Sequence, residues 1–120
     1  MRTKNLKIST LLDYYGELLT EKQKDLLELY YNEDLSLGEI AELKGITRQG
    51  VRDAIKRGEA FLFELEEKLK LVEKMTDLLK MFEYIGAVAT KAKGHFCSKE
   101  VVEYLDNITA VTDDYVNKNI

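Results

Sequence analysis

Between Leu35 and Leu62 the chain reads LSLGEIAELKGITRQGVRDAIKRGEAFL, and the punctuation of that stretch leaves room for two helices and one tight turn. Ser36 with Glu39 three residues on forms a capping box, in which the hydroxyl satisfies a free N–H of the first turn and the carboxylate reaches back to the cap. A short helix over about 37–44 follows. Gly45 stands where the chain must turn sharply, with a positive φ expected, and Thr47 is placed to cap a second helix that begins at Arg48. Leu37, Ile40 and Ala41 on the first helix, Ile46 in the turn, and Val51, Ile55, Gly58 and Leu62 on the second recur at helical spacing, so they can close one small core. Two helices meeting across so short a turn make a helix-turn-helix.

With that face inward, Gln49, Asp53 and Lys56 point outward, flanked by Arg48, Gly50, Arg52 and Arg57, the positions a recognition helix shows to a groove. Arginine pairs bidentately with guanine, glutamine with adenine, and a carboxylate accepts from the cytosine amino group. Arg48, Gln49, Arg52, Asp53, Lys56 and Arg57 are therefore the candidate nucleic-acid-binding residues, against the plainer reading of a solvated helix face. Asp53 has a plainer role too, pairing with Arg57 at i+4 or Lys56 at i+3, and either pair would mute the positive field.

Charge bears on the choice. Eighteen basic residues against twenty-two acidic give a net charge of −4, whereas affinity for nucleic acid ordinarily rests on a basic footprint. From Thr47 to Arg57, however, four basic residues face one acidic, a local +3 that leaves −7 for the rest of the chain. A basic stripe on an acidic body predicts weak binding with strong salt sensitivity.

The flanking sequence reads as helical support. Arg2, Lys4 and Lys7 lie in a loose N-terminal end or entry turn. Ile8, Leu11, Leu12, Tyr15, Leu18 and Leu19 keep the i, i+3, i+4, i+7 template, predicting a helix over about 8–19. Thr20 with Gln23 makes a second capping box, opening a helix over about 21–31 whose broad apolar side predicts a place between the first helix and the helix-turn-helix. The Tyr14-Tyr15 and Tyr30-Tyr31 pairs could stack on unpaired bases, but at helical spacing on apolar stripes they read as core. Leu62, Leu65, Leu69 and Val72 hold a 3-4-3 spacing that extends the second helix of the motif to about Lys74. This seam is either a homodimer interface or a face covered by the chain's own last helices. An offset seam of Met75, Leu78, Phe82, Ile85 and Ala89 predicts a break near Thr76 and a helix over about 77–93, ending at Lys91 and Lys93. After a His95-Phe96-Cys97 connector, Ser98 caps a last helix over about 98–117 with Val101, Leu105, Ile108, Val111 and Tyr115 on one stripe.

The run LLDYYGELLTEKQKDLLELYYNEDLSLGEIAELKGITRQGVRDAIKRGE resembles the YlxM family of small helix-turn-helix proteins of Gram-positive bacteria, and its motif is similar to the last helix-turn-helix of sigma factors, region 4. The tyrosine pairs, Leu35 to Glu42, and Arg48-Gln49 with Asp53 carry the likeness; Gly50 and Arg52 depart from it, since the family often has alanine and an aromatic residue there. The resemblance implies an all-α, sigma-region-4-like bundle with a long C-terminal helical extension. Because genes of the family lie beside that of the signal recognition particle GTPase, it also implies that this GTPase or its RNA is a partner.

Together these readings predict a helix-turn-helix domain over about 1–74 and a C-terminal helical segment over about 75–120. The expected function is that of a non-catalytic, cytoplasmic DNA-binding regulator acting as a homodimer; the competing one is an accessory factor of the signal recognition particle that binds protein or RNA without reading DNA specifically. No cofactor is expected. One cysteine and one histidine cannot close a metal site, and no phosphate loop or nucleophile pattern is present. No run approaches the roughly 20 apolar residues of a membrane span, and MRTKNLK lacks the apolar core of a signal peptide.

Overall fold

The residues read above as caps at Thr20, Ser36, Thr47 and Ser98 each start a helix. A computed structural model describes residues 6–95 and 97–120, so Arg2 and Lys4 at one end and Phe96 in the connector lie outside the described residues. Helix α1 (Leu6–Tyr15) passes into a single 3-10 turn over Gly16–Leu18. Helices α2 (Glu21–Tyr31), α3 (Leu37–Lys44), α4 (Arg48–Leu69), α5 (Leu71–Lys93) and α6 (Lys99–Asn119) follow. The fold is all-α. Among the described residues no helix is long and apolar enough to cross a membrane.

Both capping boxes form. The Gln23 amide donates to Thr20 Oγ1 at 3.2 Å while the Thr20 amide donates to Gln23 Oε1 at 3.4 Å; the corresponding distances for Ser36 and Glu39 are 3.0 and 3.1 Å. Thr47 Oγ1 accepts from the Gly50 amide at 2.9 Å, and Ser98 Oγ from the Val101 amide at 3.2 Å. Gly45 ends α3 at φ 67°, ψ 32°, the left-handed conformation that costs a side chain free energy. A Cβ at Gly45 would meet nothing within 4 Å, so Gly45→Ala should lower stability by about 1 kcal/mol from backbone strain alone. A urea unfolding midpoint that does not move would refute this.

The chain divides into two compact units, Met1–Val72 and Glu73–Ile120. In the first, α2 packs against α1, α3 and α4, and α4 touches all three of the other helices. Ile8, Leu11 and Tyr15 of α1, Leu26 and Leu27 of α2, Ile40 of α3, and Val51, Ile55 and Leu62 of α4 share one core. Gly58 lets α4 sit close on α2: a Cβ there would fall 2.7 Å from Leu27 Cδ1. Of the tyrosine pairs, Tyr15 and Tyr30 are buried and Tyr31 is half-buried, whereas Tyr14 is exposed. Leu18 is exposed as well, because the tighter 3-10 turn after Tyr15 carries it off the apolar stripe expected of a helix over 8–19.

The break after the second helix of the motif is a correction. It falls at Lys70, not near Thr76, so the helices expected over 48–74 and 77–93 are instead Arg48–Leu69 and Leu71–Lys93. Lys70 takes the left-handed conformation at φ 55°, ψ 32°, which a lysine adopts only when its surroundings hold it there. The holding groups come from elsewhere in the sequence. The Tyr15 hydroxyl donates to Glu66 Oε1 at 2.6 Å and accepts from the Leu71 amide at 3.1 Å, and Glu66 Oε1 accepts from the Val72 amide at 3.1 Å. Two first-turn donors of α5 that lack helical partners are thus satisfied by α1 and α4. Burial, together with the Glu66 carboxylate, pushes the Tyr15 phenol above its ordinary ionisation range.

The seam at Leu62, Leu65, Leu69 and Val72 is divided by this break, its first three residues lying on α4 and Val72 on α5. Leu62 is 0% exposed within the core, Leu65 and Val72 pack half-buried at its edge, and Leu69 alone is open, at 44%. A residue wholly buried in its own unit has no surface to give a partner.

In the second unit α5 and α6 form an antiparallel hairpin. The Phe82 and Tyr115 rings lie 4.6 Å apart, the Tyr115 hydroxyl donates to Met75 Sδ at 3.6 Å, and Lys93 Nζ pairs with Asp106 Oδ1 at 2.9 Å. Gly86 admits Thr112, whose Oγ1 would lie 2.9 Å from a Cβ at that position. The offset seam splits here, with Met75, Phe82 and Ala89 turned toward α6 while Leu78 and Ile85 are exposed.

Candidate nucleic-acid interface

Helix α4 is aimed by what it buries. Val51, Ala54, Ile55, Gly58 and Leu62 face the core, which fixes the rotation of the helix and leaves Arg48, Gln49, Arg52, Asp53, Lys56 and Arg57 exposed along its first half. The Thr47 cap sets the start of α4 and takes the Gly50 N–H, so Arg48 and Gln49 occupy the first turn, where the helix dipole is positive and their own backbone N–H groups have no intrahelical partner.

The basic side chains lie on both flanks of this start. On one side Arg48, Arg52 and Lys56 line a groove of about 370 Å³ with Tyr30, Leu37 and Glu59. On the other, Arg57 shares a hollow of about 590 Å³ with Thr20, Lys22, Gln23 and Thr47. Lys22 was not legible as a site residue. It is an exposed first-turn lysine of α2, and only the packing of α2 on α4 brings it beside Arg57. The one signal for it is its position just inside the Thr20 capping box.

Asp53 does not form either ion pair expected from the spacing. Its Oδ1 accepts from Gln49 Nε2 at 2.9 Å, one turn toward the N-terminus. Among the described residues Arg48, Arg52, Lys56 and Arg57 make no ion pair, so their donors face solvent unshared, whereas nearby Lys24 and Lys44 are paired with Glu17 and Asp25. The local +3 therefore persists at the surface. One Gln49 side-chain N–H is thereby tied to Asp53. Glu59, at the rim of the first groove, is held by the Tyr31 hydroxyl.

Donors of fixed positive charge on an exposed helix start can hold phosphate oxygens and base edges. Among the described residues no three His, Cys, Asp or Glu side chains gather to hold a metal ion.

Comparison with known proteins agrees with this architecture. The family described as "Putative helix-turn-helix protein, YlxM / p13 like" matches residues 2–102, which takes in the whole motif and ends within the first turns of α6. A UPF0122 protein of Desulforamulus reducens is 60% identical over 70 residues, an alignment that spans 58% of this chain and 60% of the relative. One from Oceanobacillus iheyensis is 46% identical over 95 residues, 79% of this chain and 90% of the relative, and one from Clostridium perfringens 44% over 100 residues, 83% and 88%. With an all-helical fold, a capped helix-turn-helix at its centre and relatives of this extent, the chain belongs to the UPF0122 family of YlxM-like helix-turn-helix proteins.

Proposed function

We propose that this protein is a non-catalytic DNA-binding regulator that lays the first half of α4 in a major groove. In this reading Arg48, Gln49 and Arg52 meet base edges and phosphates, and Lys56 and Arg57 meet phosphates on either side. The observation that carries it is the set of four unpaired basic side chains flanking one exposed, capped helix start in a chain of net charge −4. Recognition helices of helix-turn-helix proteins use these N-terminal positions. The motif is compatible with other uses, since a fold does not dictate a function. The −7 carried by the rest of the chain favours one of them, an accessory role in which the acidic body meets a basic protein of the signal recognition particle by charge complementarity, or α4 touches its RNA.

Titration of duplex DNA at several salt concentrations separates these readings. Replacing Arg48 and Arg52 by Ala removes up to two phosphate or base contacts, so the slope of log affinity against log salt should fall by as much as about 2. Asp53→Asn should act oppositely, because it deletes a charge that repels phosphate while leaving an oxygen for the Gln49 amide. If neither variant alters affinity or slope, the helix-turn-helix is a scaffold here and not a reader of DNA; retained binding to signal recognition particle components would then favour the accessory role.

A further inference from the structure

The second unit is short of interior. Among the described residues of the α5–α6 hairpin only Gly86, Ala89 and Thr112 are buried, so none of its described large apolar side chains is fully removed from water. A helical surface that is apolar and uncovered marks an interaction site more often than it marks a free face.

The uncovered residues are ordered. On α5, Leu78, Met81, Ile85 and Val88 keep a 3-4-3 spacing, and each directly precedes a residue turned toward α6: Leu79, Phe82, Gly86 and Ala89. On α6, Val101, Tyr104, Ile108 and Val111 keep the same spacing, and each directly precedes Val102, Leu105, Thr109 or Thr112, which are turned toward α5. One residue corresponds to about 100° of rotation, so both stripes lie a quarter-turn from the contact line in the same rotational sense. Since the helices run antiparallel, equal rotations in that sense bring the two stripes to the same side of the hairpin. The result is a two-helix face with eight apolar positions and no charged one.

We propose that this face is where a second copy of the chain docks, hairpin on hairpin, to close a four-helix bundle. Area and symmetry select that occupant. The eight side chains are between 39% and 66% exposed. Their open surface is on the order of 700 Å², close to the roughly 800 Å² per partner that a standard stable interface buries. A two-fold axis through the face sets each stripe against a stripe of identical 3-4-3 spacing, the self-complementary condition of an isologous dimer, and a bundle of four helices supplies the interior that two lack. The interface lies on α5 and α6 and does not include Leu69, the one open residue of the α4 seam.

Sedimentation of the full chain tests this without DNA, so its outcome is independent of the titrations above. The wild type should sediment at twice the mass of the 13.8 kDa chain and dissociate on dilution. The Met81→Glu/Ile108→Glu double variant alters only exposed positions; it should sediment as a monomer with its helical circular dichroism retained. Leu69→Lys should leave the dimer intact. A wild type that is monomeric across the dilution series, a double variant that keeps the dimer mass, or dissociation by Leu69→Lys would each overturn the proposal.

Discussion

Leu62→Ala should destabilise the helix-turn-helix unit by about 2–5 kcal/mol, the range for truncating a buried leucine whose surroundings collapse only partly. Leu62 is 0% exposed and sits where α4 crosses the core formed with α1 and α2, so the lost methyl groups leave a cavity. Leu69→Ala, seven residues on along the same seam, changes a 44% exposed side chain and should stay within about 0.5 kcal/mol. Urea unfolding of the two variants at two protein concentrations reads the contrast. A core residue loses the same free energy at both concentrations, whereas a residue shared between protomers loses more where the dimer is populated. Equal costs for Leu62 and Leu69, or a Leu62 cost that varies with concentration, would return the seam to the surface.

Tyr15→Phe should cost about 1–3 kcal/mol, because one buried hydroxyl serves two partly buried partners and its loss takes from the Leu71 amide its acceptor and leaves Glu66 Oε1 without the phenol's proton. The effect should concentrate at the helix break, with faster amide exchange at Leu71 and Val72 than in the α2 core. It also carries a pH signature. The folded phenol ionises above its ordinary value of 10.0, chiefly through burial, so between that value and its raised folded value the folded state holds a proton that the unfolded chain has released. Stability from this group is therefore complete below about pH 10 and declines as the pH climbs toward the folded value. Tyr15→Phe should lack that alkaline decline. Parallel losses in wild type and variant above pH 10 would show that the Tyr15–Glu66 bond does not clamp the break.

Much of the fold is legible in the sequence wherever the determining physics spans only a few residues. The boxes at Thr20–Gln23 and Ser36–Glu39, the caps at Thr47 and Ser98, and the left-handed Gly45 follow from local hydrogen bonding and backbone sterics. The inward phase of α4 is equally local, because a 3.6-residue repeat of Val51, Ile55, Gly58 and Leu62 leaves Arg48, Arg52, Lys56 and Arg57 only the outside. Tertiary structure decided the rest. Lys70 carries no stop signal in the sequence; the chain breaks there because Tyr15, 55 residues earlier, is buried against Glu66 and accepts from the Leu71 amide. Asp53 had several partners within one turn, and side-chain geometry selected Gln49. Lys22 joined the candidate site only because α2 packs on α4. The apolar residues of α5 and α6 gave a periodicity but not its division, since spacing cannot say which of two adjacent stripes a neighbouring helix covers. Packing makes that choice: Gly86 and Thr112 allow close approach along one line of the hairpin, and the stripe beside it stays uncovered.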